Sequence, residues 1–135
     1  MKVSFVLLLT LTNLDQLNDQ YGHLFGDKVI KQVSDACMAI FRKTDIIGRF
    51  GGDEFVVILR DVSLETGKKR TEQLNENLKN NKITKDGNSV SISASIGVAD
   101  NSQGLVKTFH ELFHLADLGL YEAKRNGKNQ IYVYE

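Results

Sequence analysis

The sequence has no proline among its 135 residues and a single cysteine, Cys37. With no low-complexity tract either, it offers no place for an internal linker, and its length suits one domain, residues 1–135, with a real core. One cysteine excludes an internal disulfide framework and points to a reducing, cytoplasmic compartment. Charge of one sign is missing too: 17 Lys and Arg balance 17 Asp and Glu, with a pI near 6.8. That excludes bulk electrostatic attraction to nucleic acid or to an anionic membrane, so any anion site must be local. The apolar run from Val3 to Leu11 is too short to span a bilayer. The Thr12-Asn13-Leu14-Asp15 that follows offers no small-residue cleavage site for a secretory signal. The run reads as a buried strand, and a chain that enters a core strand at its third residue looks like a fragment of a larger protein. Neither a G-x-x-x-x-G-K-[ST] phosphate loop nor a G-x-S-x-G nucleophile turn is present.

What is there is an alternation of two periodicities. Val3 to Thr12 is apolar and β-branched, a central strand. Asn13 to Phe25 is polar with two glycines, a connection with room for a short helix. Asp27 to Arg42 sets Val29, Ile30, Val33, Ala36, Cys37, Ile40 and Phe41 on one helical face. Two apolar runs, Ile46 to Phe50 and Phe55 to Leu59, flank a turn. Ser63 can cap a helix to about Asn80 whose thin stripe, Leu64, Leu74 and Leu78, predicts an exposed element. Lys82 to Lys85 reads as a short edge strand, closed by the turn Asp86-Gly87-Asn88. Val90, Ile92, Ala94, Ile96 and Val98 alternate with small residues as a half-buried strand. Phe109 to Asn126 is a helix with Phe109, Leu112, Phe113, Ala116, Leu120 and Ala123 inward, ended by Gly127. Ile131 to Tyr134 is a last strand. Strands alternating with helices, plus one hairpin, predict a mixed sheet with helices packed on it, of the α/β (α+β) class.

The turn Gly51-Gly52-Asp53-Glu54 is the densest chemistry in the chain. A glycine pair between β-rich runs is a hairpin signal, because a tight turn needs positive φ. Two adjacent carboxylates repel unless a cation sits beside them. Either the tip is a solvated acidic hairpin, or bare backbone lets a phosphate approach while Asp53 and Glu54 hold magnesium. His110-Glu111-Leu112-Phe113-His114 matches the zinc pattern H-E-x-x-H, but no third ligand follows where a metalloprotease needs one and Glu135 is a poor candidate; no zinc is expected. Lys124-Arg125-Asn126-Gly127-Lys128 complements a helix C-terminus. Arg42 and Asp45 can pair across another helix end.

These pieces occur in a fixed order: Asn18-Asp19-Gln20-Tyr21-Gly22-His23, Gly26-Asp27, Arg49 to Phe55, Ser93 to Ala99, and Ala116 to Asn129. Together they closely resemble the GGDEF family, the diguanylate cyclase domain of bacterial cyclic di-GMP signalling, over nearly the whole chain. The family's upstream helix and D-x-L-T-x-L-x-N-R segment have no counterpart here. The resemblance implies a ferredoxin-like, nucleotidyl-cyclase-type core whose hairpin carries the motif, and a head-to-tail homodimer in which two GTP molecules condense with magnesium assistance. It also implies partnership with other domains of a longer protein, one that can itself be membrane-attached, and no membrane contact by this domain. Gly51 and Gly52 would admit the triphosphate, Asp53 would bind metal, and Glu54 would sit at metal and attacking hydroxyl. Asn18 and Asp27 match guanine-reading positions, and Lys124 and Lys128 match phosphate contacts. Arg42 and Asp45 match the inhibitory site that grips cyclic di-GMP. A second arginine for that site falls near Arg70, with Gln73 as the competing position.

The first strand departs from the family. Where D-x-D-x-F-K is usual, this chain has Thr10, Thr12 and Asp15 at the two aspartates and the lysine. Two negative charges become hydroxyls and one positive charge reverses. Magnesium prefers anionic oxygens, so Thr10 is a poor ligand, and Asp15 repels a triphosphate. The sequence therefore predicts a weakened catalytic centre that binds GTP or cyclic di-GMP in a regulatory role. A working cyclase and a dimerisation module that binds no nucleotide are the alternatives.

Overall fold

The computed structural model describes residues 3–134. Its centre is the first strand, β1 (Val3–Leu11), whose residues from Phe5 to Leu9 are essentially without solvent exposure. A strand apolar on both faces needs cover on both, and β1 has it. It lies in the middle of a five-stranded sheet of order β2-β3-β1-β6-β7, formed with β2 (Ile46–Phe50), β3 (Glu54–Arg60), β6 (Ala94–Asp100) and β7 (Ile131–Tyr134). The pairs are antiparallel except β6 with β7, which is parallel, so the sheet is mixed as expected.

Each face has its own core. Phe5, Leu7, Leu9 and Leu11 point to the layer of α2 (His23–Ile40) and α3 (Leu64–Asn80), where Phe25, Val29, Val33, Cys37, Leu74 and Leu78 are buried. Val6 and Leu8 point the other way, to Leu112, Ala116 and Leu120 of α4 (Phe109–Arg125). Full burial of one such leucine stabilises the fold by about 1.5–3 kcal/mol. Among the described residues no helix is long and apolar enough to cross a membrane.

Four local expectations need correction. The connection at 13–25 does hold a short helix, α1 (Leu14–Tyr21), but α2 begins at His23 rather than Asp27. Leu14, Leu17 and Phe25 are buried there, and Gly22 at φ 90° makes the break between the helices. The segment 90–98 is not one strand. β4 (Ile83–Lys85) and β5 (Asn88–Val90) form a separate ribbon across Asp86 and Gly87, both left-handed, and β6 starts only at Ala94. β6 is buried on both faces, not one, because α4 lies against it; a Cβ on Gly97 would overlap the backbone of Leu120. Finally, Phe109 is exposed and Phe113 half-buried. The helix α4 packs on β6, β7 and β1, and its flank instead stacks Phe109 on Phe113 and Phe113 on Phe50, with ring centroids 6.0 Å apart in each pair.

The α3 helix is better buried than its thin stripe suggested. Leu74 and Leu78 are fully enclosed and Thr71 Oγ1 returns its hydrogen to Gly67 O at 2.8 Å. Ser63 does cap it, accepting from Thr66 N at 3.1 Å.

Candidate functional site

The hairpin forms where the glycine pair places it. Gly51 takes φ 71°, and a Cβ on either Gly51 or Gly52 would meet nothing within 4 Å, so the turn presents open backbone. Two bonds fix it: Arg49 Nη2 donates to Gly52 O at 2.9 Å, and Leu11 N donates to Asp53 O at 3.0 Å. The second bond ties the turn to the end of β1. In the β1–β3 ladder Thr10 lies opposite Glu54, and in the β1–β6 ladder it lies opposite Ser95. Residues directly opposite in an antiparallel pair share a face. Glu54, Thr10 and Ser95 therefore make one row on the α4 side of the sheet, with Asp53 at its end.

Thr10 Oγ1 and Ser95 Oγ are both buried and have no hydrogen-bond partner. An orphaned hydroxyl at this depth forgoes about 1–3 kcal/mol of compensation. Thr12 behaves differently, donating to Asn129 Oδ1 at 3.0 Å. That bond draws the end of α4 to the end of β1. The chain there is unusual: Gly127, Lys128 and Asn129 all have positive φ, and Lys128 N donates back to Ala123 O at 3.0 Å. Lys124 and Lys128 are both exposed on this end of α4 and the loop that follows it.

Asn18 lies half-buried on α1 and Asp27 exposed on the first turns of α2, brought together where the two helices pack. Asp15 is exposed in the first turn of α1. Between α2 and β2 a groove of about 550 Å³ runs past Ser34, Met38, Phe41, Asp45 and Arg49.

Arg42 and Asp45 are joined by more than a helix-end pairing. The Asp45 side chain is fully buried and accepts from Arg42 N at 2.8 Å and from Arg42 Nη2 at 2.8 Å. The bond to Asp45 raises the Arg42 guanidinium above its ordinary range. Arg42 Nη2 also donates to Arg60 O at 2.8 Å. Arg70 Nη1 stands 3.9 Å from Asp45 Oδ2, and Arg70 and Gln73 both line a second groove of about 520 Å³ with Arg42 and Lys69.

For metal, Asp53 and Glu54 are the half-buried carboxylates at the turn. Among the described residues no cluster of three or more His, Cys, Asp or Glu side chains is placed to hold an ion. Asp53 and Glu54 are thus the two anionic oxygen donors that the turn offers a divalent ion. His110 and His114 are exposed on α4, and Glu111 serves the helix start, its N–H bonded to Thr108 Oγ1 at 3.1 Å. Glu135 lies outside the described residues.

The family described as diguanylate cyclase, GGDEF domain, matches residues 2–130. The chain belongs to the GGDEF family. Diguanylate cyclase A of Treponema denticola is 30% identical to this GGDEF domain over 126 residues, 93% of this chain and 34% of that protein. The active GGEEF domain of a diguanylate cyclase from Vibrio cholerae superposes with a TM-score of 0.87 at 26% identity, covering 97% of this chain and 82% of that one. The GGDEF domain of DgcB from Caulobacter crescentus, solved with c-di-GMP, shares the fold with a TM-score of 0.88 at 23% identity over 96% of this chain and 77% of its own. This GGDEF domain spans between a fifth and a third of the length of the first curated relatives it matches, 34%, 21% and 28%.

Proposed function

We propose that this GGDEF domain binds guanine nucleotides in a regulatory role, on a catalytic centre too weak for efficient cyclisation. The observation that carries the reading is the buried Thr10 hydroxyl, unpartnered and directly opposite Glu54, at the position where family resemblance calls for an aspartate. Magnesium, which the family uses, would neutralise phosphate charge at the turn when bound. Asp53 and Glu54 would hold it, and Thr10 would add at most a neutral oxygen. Gly51 and Gly52 would admit the phosphates, Lys124 and Lys128 would balance their charge, and Asn18 and Asp27 would contact guanine. Losing one preorganised charge partner costs on the order of a hundredfold in rate, and this centre has lost two.

Arg42 and Asp45, with Arg70 beside them, form the second part of the proposal: a groove for cyclic di-GMP in which arginines meet phosphate and the carboxylate meets a guanine edge. Arg42 and Arg70 line one groove, and the buried Asp45, bonded to Arg42 and 3.9 Å from Arg70, would hold both arginines in place; it would meet a guanine edge only by giving up part of that bonding. The domain would act in the cytoplasm as part of a longer signalling protein, with a second copy as its natural partner.

Titration calorimetry with GTP and with cyclic di-GMP, each with and without magnesium, tests the reading alongside a product assay. Binding of either nucleotide with little or no turnover is expected. Turnover matching an intact family member would overturn it, and binding of neither would leave a dimerisation module.

A further inference from the structure

Gly26 occupies the fourth position of α2, a helical site where glycine costs about 1 kcal/mol relative to alanine. Its own backbone does not require glycine, since Gly26 is absent from the glycines with positive φ. What requires it is Asn18. A Cβ on Gly26 would overlap Asn18 Oδ1 and stand 2.8 Å from Asn18 Cγ. The Asn18 carboxamide on α1 thus directs its oxygen at the bare Cα of Gly26 on α2. Asn18 Oδ1 is buried there with no hydrogen-bond partner, while Nδ2 is the end farther from Gly26, at 3.3 Å from the same point.

A carboxamide offers an acceptor at one end and two donors at the other, and free rotation would let it present either. Here the oxygen is turned in, so the outward group is a donor. Asp27, the next residue along α2, is exposed and supplies only acceptors. We propose that Gly26 is a positioning residue for base specificity: its missing side chain leaves the space that the Asn18 carboxamide occupies, with the donor end outward and Asp27 the neighbouring acceptor on α2. That couple suits a purine edge bearing an N1 hydrogen and an exocyclic amine next to ring or carbonyl acceptors, which guanine has and adenine lacks. The inference rests on Asn18 and Asp27 contacting guanine, and it adds a positioning residue that itself touches no ligand.

The test is a cycle of Gly26→Ala, Asn18→Ala and the double variant, titrated with GTP and with ATP. Gly26→Ala should weaken GTP at least tenfold and erode the preference over ATP, while its urea midpoint stays level or rises, because alanine favours the helix. In the Asn18→Ala background the same change should cost nothing further, since the group it displaces is gone. Parent-like GTP affinity in Gly26→Ala, or losses that simply multiply in the double variant, would overturn the inference. If Asn18→Ala binds GTP as tightly as the parent, the guanine reading itself falls. A nucleotide-free readout covers the remaining cases: the Asn18 side-chain amide resonances should be sharp and distinct in the parent, and should shift or broaden in Gly26→Ala. Should Gly26→Ala not fold, the double variant should, because the overlap is relieved; failure of both would refute the Asn18 contact as the reason for glycine. Unchanged amide resonances would refute it whatever the nucleotide affinity.

Discussion

Thr10→Asp is the substitution that most directly interrogates the centre. Thr10 is 8% exposed and faces Glu54 across the β1–β3 ladder. Cβ atoms of such a pair are about 4.5–5.5 Å apart, so two carboxylates there would sit roughly 5 Å from each other. At an effective dielectric of about 20 their repulsion is about 3 kcal/mol, and screening at the half-exposed Glu54 reduces it to about 1–2 kcal/mol. Without divalent cations the variant should therefore be less stable than the parent by about that amount. With a urea slope near 1.5–2 kcal/mol per molar, its midpoint should fall by about 1 M in EDTA. Magnesium at ten times its dissociation constant should return about 1.4 kcal/mol to the variant and much less to the parent. The measurement is paired urea unfolding, EDTA against magnesium, on both proteins. Equal midpoints in EDTA, or equal magnesium stabilisation of the two proteins, would refute the geometry and the claim that the present cage is deficient.

Gly97→Ala should destabilise more than any other glycine-to-alanine change in the sheet. Its Cβ would stand 2.5 Å from Ala116 O, and a helix backbone has to move about 1 Å to restore contact distance, so a loss of about 1–3 kcal/mol in urea unfolding is expected. Asp45→Ala removes a buried acceptor from Arg42 N and the Arg42 side chain and should cost about 3 kcal/mol, with loss of any cyclic di-GMP binding by calorimetry. Burial pushes the Cys37 thiol up to about 12. The unfolded thiol ionises first as pH rises, so stability should be full below about pH 9 and fall by about 1.4 kcal/mol per unit above it. The excess slope should vanish in Cys37→Ala, as followed by urea midpoints from pH 8 to 10.5.

The strands and long helices were legible because their periodicity is strong: β1 and the α2 stripe read directly from apolar spacing. In the segment 13–25 room for a short helix was legible but its bounds were not, since α1 is polar and only Leu14 and Leu17 mark it. The two-sided burial of β6 was also hidden. Alternating small residues look like an exposed face, yet all are buried, and at Gly97 the α4 backbone lies where a side chain would be. At the site, composition and spacing revealed the turn and its acids. Register decided the rest: that Thr10 faces Glu54 is a property of strand pairing, which local sequence does not encode. That Arg70 comes within 3.9 Å of Asp45 likewise depends on how α3 meets the end of α2.

The acidic turn rides on the rim of the sheet. β2 has one neighbour, β3, whereas β1 is held on both sides. A ligand that tugs Gly51 and Gly52 thus works against the β2–β3 ladder, while Asp53 stays tied to Leu11 at the end of β1. Amide exchange should divide along that line, with β2 opening in small local events and β1 only when the whole domain unfolds. The moving part and the anchor are separate strands, so sensitivity at the tip can drift through mutation while the scaffold keeps its stability.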